Sequence, residues 1–179
     1  MKRTIILTII IASLHVIANA QTVGLKTNLL SDILTMPTLE LEVSVGKKTT
    51  LGMTVLTINH PHGTKLEMTA FQPEIRWYCS GRLMHGLFVG ACGIYTQYDS
   101  NMSDHTCDGS ALGAGVTFGY ALSLSKHWNL DMHAGVAYYH YENKEYYEKN
   151  GDYNSLTGAN ARGDRILPTI PGVSLVYVF

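Results

Sequence analysis

Charge is scarce in this sequence. Asp, Glu, Lys and Arg make up 15% of its residues, against roughly 25% in ordinary soluble domains. The formal net charge of −1 leaves no basic surface to hold a phosphate backbone, so no nucleic-acid partner is expected. Past residue 20 no run of about 18 apolar residues occurs, which excludes a membrane-spanning helix there. Cysteine is also sparse. Cys79, Cys92 and Cys107 are odd in number and widely spaced, so no disulfide framework is expected, and a Cys92–Cys107 bridge stays open. Phosphate-loop, zinc-protease and calcium-loop patterns are missing, so neither cofactor nor metal is expected.

What is abundant is glycine and tyrosine, at seventeen and eleven residues. With so little charge, they suit a β protein whose surface need not be charged. The N-terminus reads differently. Lys2 and Arg3 precede an apolar stretch from Thr4 to Val16, and Ala18-Asn19-Ala20 is a small-residue cleavage site. Residues 1–20 are therefore expected to be a cleavable Sec signal peptide, and 21–179 the folded domain.

Within 21–179 the dominant period is two. "TLELEVSVG" puts Leu39, Leu41, Val43 and Val45 on one face and Glu40 and Glu42 on the other. "FQPEIRWY", "LGAGVTFGYAL" and "WNLDMHAGVAY" repeat the pattern, as does the terminal "GVSLVYVF". Such segments predict eight strands, at about 23–30, 38–46, 50–58, 67–78, 86–98, 111–123, 128–141 and 170–179. Short links at 46–49, 79–85 and 124–127 alternate with longer ones at 31–37, 59–66, 99–110 and 142–169. Pro73, Pro168 and Pro171 cannot donate ladder hydrogen bonds. The last strand is thus expected to start near Gly172 or to carry a bulge.

An even set of strands with short turns at one end and long loops at the other fits an all-β fold. The expected architecture is an eight-stranded antiparallel closed β-barrel of outer-membrane type. Its apolar face would look outward to lipid. Trp77, Tyr120, Trp128, Tyr177 and Phe179 would form an aromatic belt at the short-turn rim, with Phe71, Tyr95 and Tyr138 nearer the other rim. Leu175, Tyr177 and Phe179 would also serve as the terminal signal read by the barrel assembly machinery.

Five blocks carry a resemblance. "VGLKTNLL" followed by Asp32, "PTLELEVSVGKK", "QPEIRWY", "GYALSLSKHWNLD" and "GVSLVYVF" resemble, in the same order, Bacteroidota proteins grouped as domain of unknown function 3575. The resemblance implies an outer-membrane β-barrel-like fold and, from gene neighbourhoods of some members, a surface or fimbria-type partner at the loops. It implies no catalytic residue. Ser31 stands where an aromatic is expected, and Cys92 and Ile94 stand where polar residues or histidine are common.

The polar face supplies Lys26, Glu40, Glu42, Glu74, Arg76, Asp131 and His133. They read as a salt-bridged plug, because an eight-stranded barrel has just enough interior to be filled by side chains and buried charges must be paired. A pore lining or an acid–base site is the rival use of the same residues. Arg76 is the expected hub, since a guanidinium binds carboxylates bidentately. His60, His62, His105 and Cys107 match no metal-ligand spacing. Arg162-Gly163-Asp164 is an integrin-type tripeptide that three residues produce by chance. Ser103-Asp104-His105 has triad residue types without triad geometry. The functional expectation is a non-enzymatic structural or surface-interaction protein. Two alternatives remain: a soluble lipocalin-like barrel around an apolar ligand, and a barrel enzyme acting on lipid or peptide at the loop rim.

Overall fold

The computed structural model describes residues 22–59, 66–102, 105–147 and 161–179. The expected signal segment, His60, His62, Ser103 and Asp104 therefore lie outside the described residues. Among the described residues, nine strands and one short helix follow one another: β1 (Val23–Asn28), α1 (Leu29–Ile33), β2 (Thr38–Ser44), β3 (Thr49–Asn59) and β4 (Leu66–Tyr78). The remainder are β5 (Gly86–Met102), β6 (His105–Ser123), β7 (Trp128–Tyr147), β8 (Ala161–Pro168) and β9 (Gly172–Val178). Each pairs antiparallel with its neighbour, and β9 joins both β1 and β7, so the sheet closes. β8 and β9 lie end to end along β7 and together fill the eighth position. The molecule is a closed eight-stranded antiparallel β-barrel.

The prolines explain the break in the last strand. Pro168 pairs with Val136 and Gly172 with His133. Three residues, 169–171, thus face two on β7, which is a one-residue bulge. Thr169 and Ile170 both turn inward there, and the Thr169 amide still donates to Gly135 O at 3.1 Å. Pro73 is absorbed without a bulge. The β4–β5 register is the same on both sides of it, and the ladder skips only Gln72 and Pro73.

Strand lengths depart from expectation at the long-loop end. Residues 99–110, expected as a loop, continue the β5–β6 ladder up to Met102↔His105. β7 likewise runs to Tyr147, and β8 starts at Ala161 inside the expected 142–169 loop. Polar residues on both faces hide these rungs from a period-two count, while backbone bonding needs no apolar face. β1 is shorter than expected, ending at Asn28. The Asn28 side chain accepts from Leu30 N at 3.1 Å and Ser31 N at 3.4 Å, which starts α1 in place of two further rungs. The wall is therefore low at β1 and β2 and tall from β5 to β8.

Alternation sets the faces. Leu112 and Phe118 are 65% and 60% exposed, whereas inward Arg76 is 1% exposed. The apolar face points out. Inside, the filling is layered and not uniformly polar as expected. Tyr78, Met84, Phe88 and Ala121 cluster at the short-turn end. A charged layer follows. Above it are two apolar clusters, Leu56, Ile58 and Ala70, and Cys92, Ile94, Ala137 and Tyr139.

Cys92 is a free thiol within that upper layer. Cys107 pairs with Ser100, eight rungs from Gly115, the partner of Cys92. At ~3.3 Å per residue that is roughly 26 Å, so the two cannot form a disulfide, which needs Cα atoms within ~7 Å.

Inward glycines make room for larger neighbours. A Cβ on Gly119 would lie 2.5 Å from Phe88 Cζ, whereas one on outward Gly93 would meet only Pro73 Cγ at 3.6 Å. Gly119→Val is expected to destabilise the barrel by ~1–3 kcal/mol through overpacking, with Gly93→Ala close to neutral. Urea unfolding midpoints of the two refolded variants check this ordering.

Candidate functional site

Three strands contribute charged residues two positions apart: Glu40 and Glu42 on β2, Glu74 and Arg76 on β4, Asp131 and His133 on β7. Spacing of two keeps each pair on the inner face. Lys26 comes from β1, directly opposite Glu40 in the register. The barrel's curvature brings all seven together, from sequence separations of up to 105 residues.

Arg76 is the centre. Its guanidinium lies 2.8 Å from Glu74, 2.9 Å from Asp131, 3.1 Å from Glu40 and 3.2 Å from Glu42. Lys26 Nζ lies 2.7 Å from Asp131 and 3.1 Å from Glu40, and also pairs with Glu42. Two cations thus face four carboxylates, with His133 Nδ1 3.3 Å from Asp131 at the margin. Hydroxyls satisfy further acceptor positions. Tyr78 donates to Glu42 at 2.8 Å, Thr50 donates to Glu42, and Thr117 donates to Glu74. These three were not singled out in the sequence. Their signal was there, in the inward parity they share with the charged residues. Thr50 is moreover the direct rung partner of Arg76.

The layer is sealed from both sides. Below it, the Arg76 guanidinium sits over the Phe88 ring at 4.8 Å. The hairpin 79–85 tucks Met84 under the barrel, held by the Asn129 side-chain amide donating to Met84 O at 2.8 Å. Beside the layer, a void of about 10 Å³ touches Glu40, Gln72 and His133, room for one water at most. This arrangement is a plug. Among the described residues, its two cations and four carboxylates are all engaged with one another, and the space beside them is no larger than a water.

Other candidates fall elsewhere. Trp77, Tyr120, Trp128 and Phe179 are all exposed on the outer face. Tyr177 stands edge-on to both Trp128 and Phe179, with ring centroids 5.1 and 4.9 Å away. Leu175 lies on the same outward face, one alternation above Tyr177, where it pairs with Thr27 and Leu130. His105 and Cys107 belong to β6, not to a loop. The Arg162-Gly163-Asp164 tripeptide lies in extended β8. Its Arg162 Nε is 3.2 Å from Glu142, and its Asp164 Oδ1 is 2.7 Å from His140 Nδ1. Hydrogen bonds from His140 first, then Tyr138, hold the exposed Asp164 carboxyl below its ordinary value. A His–Asp pair is half of a proton relay. Among the described residues no hydroxyl or thiol is hydrogen-bonded to His140. Nor do three or more His, Cys, Asp or Glu side chains group as a metal site among the described residues.

Removing one member of the plug leaves its partners buried without compensation. Arg76→Met is expected to destabilise the barrel by ~3–5 kcal/mol. The rim pair is exposed and screened, so Arg162→Ala should shift stability by less than ~1 kcal/mol. Equilibrium unfolding of both variants in urea tests the contrast.

No curated protein and no solved structure matches the chain. The family described as protein of unknown function (DUF3575) matches residues 4–179. With nearly every residue covered, the closed, plugged barrel described above belongs to that family.

Proposed function

We propose that this protein is an outer-membrane β-barrel with a structural or cell-surface interaction role, not an enzyme. One observation carries the reading: the closed barrel turns an apolar band outward and a layer of charges inward. Water would favour the reverse. The band has the height of a bilayer core. On β7 it runs from Trp128 to Tyr138. Ten residues at ~3.3 Å, tilted by about 40°, rise about 25 Å. Aromatic residues mark both ends of it, as interfacial rings do. The N-terminal Lys2, Arg3, apolar stretch and Ala18-Asn19-Ala20 support Sec export. With the N-terminus in the periplasm, the tall ends of β5 to β8 stand outside the cell.

The same observation disfavours a lipocalin-like carrier, in which the apolar face lines the interior. A plugged lumen disfavours conduction. The partners on this reading are outer-membrane lipid around the band and the barrel assembly machinery during insertion. A surface or fimbria-type partner would bind the long-strand end, since the wall below is committed to lipid.

Two measurements test the proposal. The expressed chain should sediment with outer membranes and change its electrophoretic mobility on boiling in detergent. Recovery in the soluble fraction alone would sink the idea. Phe179 is the last rung of the seam, its amide donating to Val23 O at 2.9 Å. Phe179→Asp should lower the heat-modifiable yield several-fold, while Lys126→Ala in a short turn leaves it unchanged. Equal yields would remove the assembly role of the terminal strand.

A further inference from the structure

The wall has a notch. β1 stops at Asn28 and β2 begins at Thr38, whereas β7 reaches Tyr147 and β8 starts at Ala161. The last rung of β1 on the closing strand is Asn28↔Ser174. Above that rung, β8 pairs only with β7 among the described strands. On the other side, β3 loses β2 above Thr57, whose amide donates to Pro37 O at 3.2 Å. Among the described residues, the upper wall between β8 and β3 therefore lacks the two strands that would complete it.

The notch lies at the level of the apolar band. Ile166 of β8 is outward, exposed and paired with Tyr138 at the top of the band. The stretch from Gly172 up to Ile166, level with His133 to Tyr138 of β7, thus runs without β1 beside it along the band's upper half. α1 stands in that gap; its Leu29, Leu30 and Ile33, and Leu34 just after it, are exposed. Its base is stoppered by Met36 and Ile170, packed against Leu56, Ile58 and Ala70.

Behind the notch the lumen widens into a chamber of about 460 Å³, the size of a small-ligand site. Met68, Ala111, Tyr139 and Leu167 give it apolar walls. Arg165, inward on β8 beside the gap, lines the same chamber, with its guanidinium 5.8 Å from the Tyr141 ring. It forms no ion pair among the described residues. A largely apolar chamber with Thr96, Tyr98, Tyr141 and Asn143 also in its lining, a guanidinium without an ion pair among the described residues, and a lateral gap define a chemistry.

Resting on the outer-membrane reading, we propose that this chamber binds a single-chain anionic amphiphile from the outer leaflet. The chain enters between β8 and β3 and lies against Met68, Ala111, Tyr139 and Leu167. The anionic head, a carboxylate or a phosphate ester, meets Arg165, whose planar fork suits either.

The test uses the full barrel, folded in neutral detergent and checked by heat-modifiable mobility. A fluorescent C16 fatty-acid analogue is titrated in, and palmitate, C16 lysophosphatidate and hexadecanol compete for it. Saturable binding is expected, with at least one anionic competitor more than about tenfold better than the alcohol, as a charge-assisted hydrogen bond predicts. Arg165→Gln should erase that preference while leaving hexadecanol unchanged, and Ala111→Phe should weaken all three by filling the chamber. Stronger competition by palmitate identifies a fatty acid as the source, and stronger competition by lysophosphatidate a lysolipid. A heat-modifiable barrel that binds nothing saturably overturns the chamber alone, as does binding indifferent to both variants. A chain that never enters membranes overturns the outer-membrane reading instead.

Discussion

A strand carries a row of N–H and C=O groups along each edge, and each group buried without a partner is costly. Closing the sheet is the constraint on which the rest of this structure depends. The β1–β9 seam, from Gly24↔Val178 to Asn28↔Ser174, turns nine segments into one continuous ladder. Once the ladder closes, outward and inward faces are fixed by parity alone. Every later feature follows from which residues occupy each parity.

The charged layer is one consequence. A narrow barrel with an apolar exterior must send its polar parity inward. There Lys26 and Arg76 have no choice but to pair with the four carboxylates, each cation shared among several of them. Such a network is weak evidence for stability, because well-packed apolar side chains of equal volume would do as well. Its contribution is better sought in specificity. Arg76 touches carboxylates from β2, β4 and β7 at once. A slip of one residue in any of these strands would turn an ion outward and leave its partners bare. The apolar layers above and below shield the network, which strengthens each pair and raises the cost of breaking one.

Much of this was legible in the sequence, and the reasons differ by region. Strand positions from Thr38 to Ser44 and from Phe71 to Tyr78 stood out because alternation there is clear. The seven charged residues could be collected by parity without knowing their distances. The upper rungs, such as Asp99 to Met102 and Glu142 to Tyr147, were invisible because both faces are mostly polar and only the backbone speaks for a strand. The layering was hidden for a different reason. Leu56, Ile58 and Ile94 are apolar at inward parity, and alternation cannot tell an inner apolar residue from an outer one. The bulge at 169–171 was half legible, since two prolines announce an interruption but not its register.

One junction connects the seam to the notch. Asn28 ends β1, and its side-chain oxygen accepts from the first amides of α1 and from Val173 N at 3.3 Å. Its side-chain amide donates to Pro171 O at 3.0 Å. Gly172 leaves that amide its space, because any Cβ there would collide with it. A single asparagine therefore stops one strand, starts a helix and pins the bulge of the strand beside it. Directly above, Pro168 has no N–H to leave unpaired, so the edge of β8 is blunted where β1 is missing. The low wall is thus written into local chemistry on both sides of the gap. On the proposed membrane reading, an accidental edge within a lipid-facing band would be costly. An edge bounded by a capped helix, a bulge and two prolines is instead the construction expected of an opening.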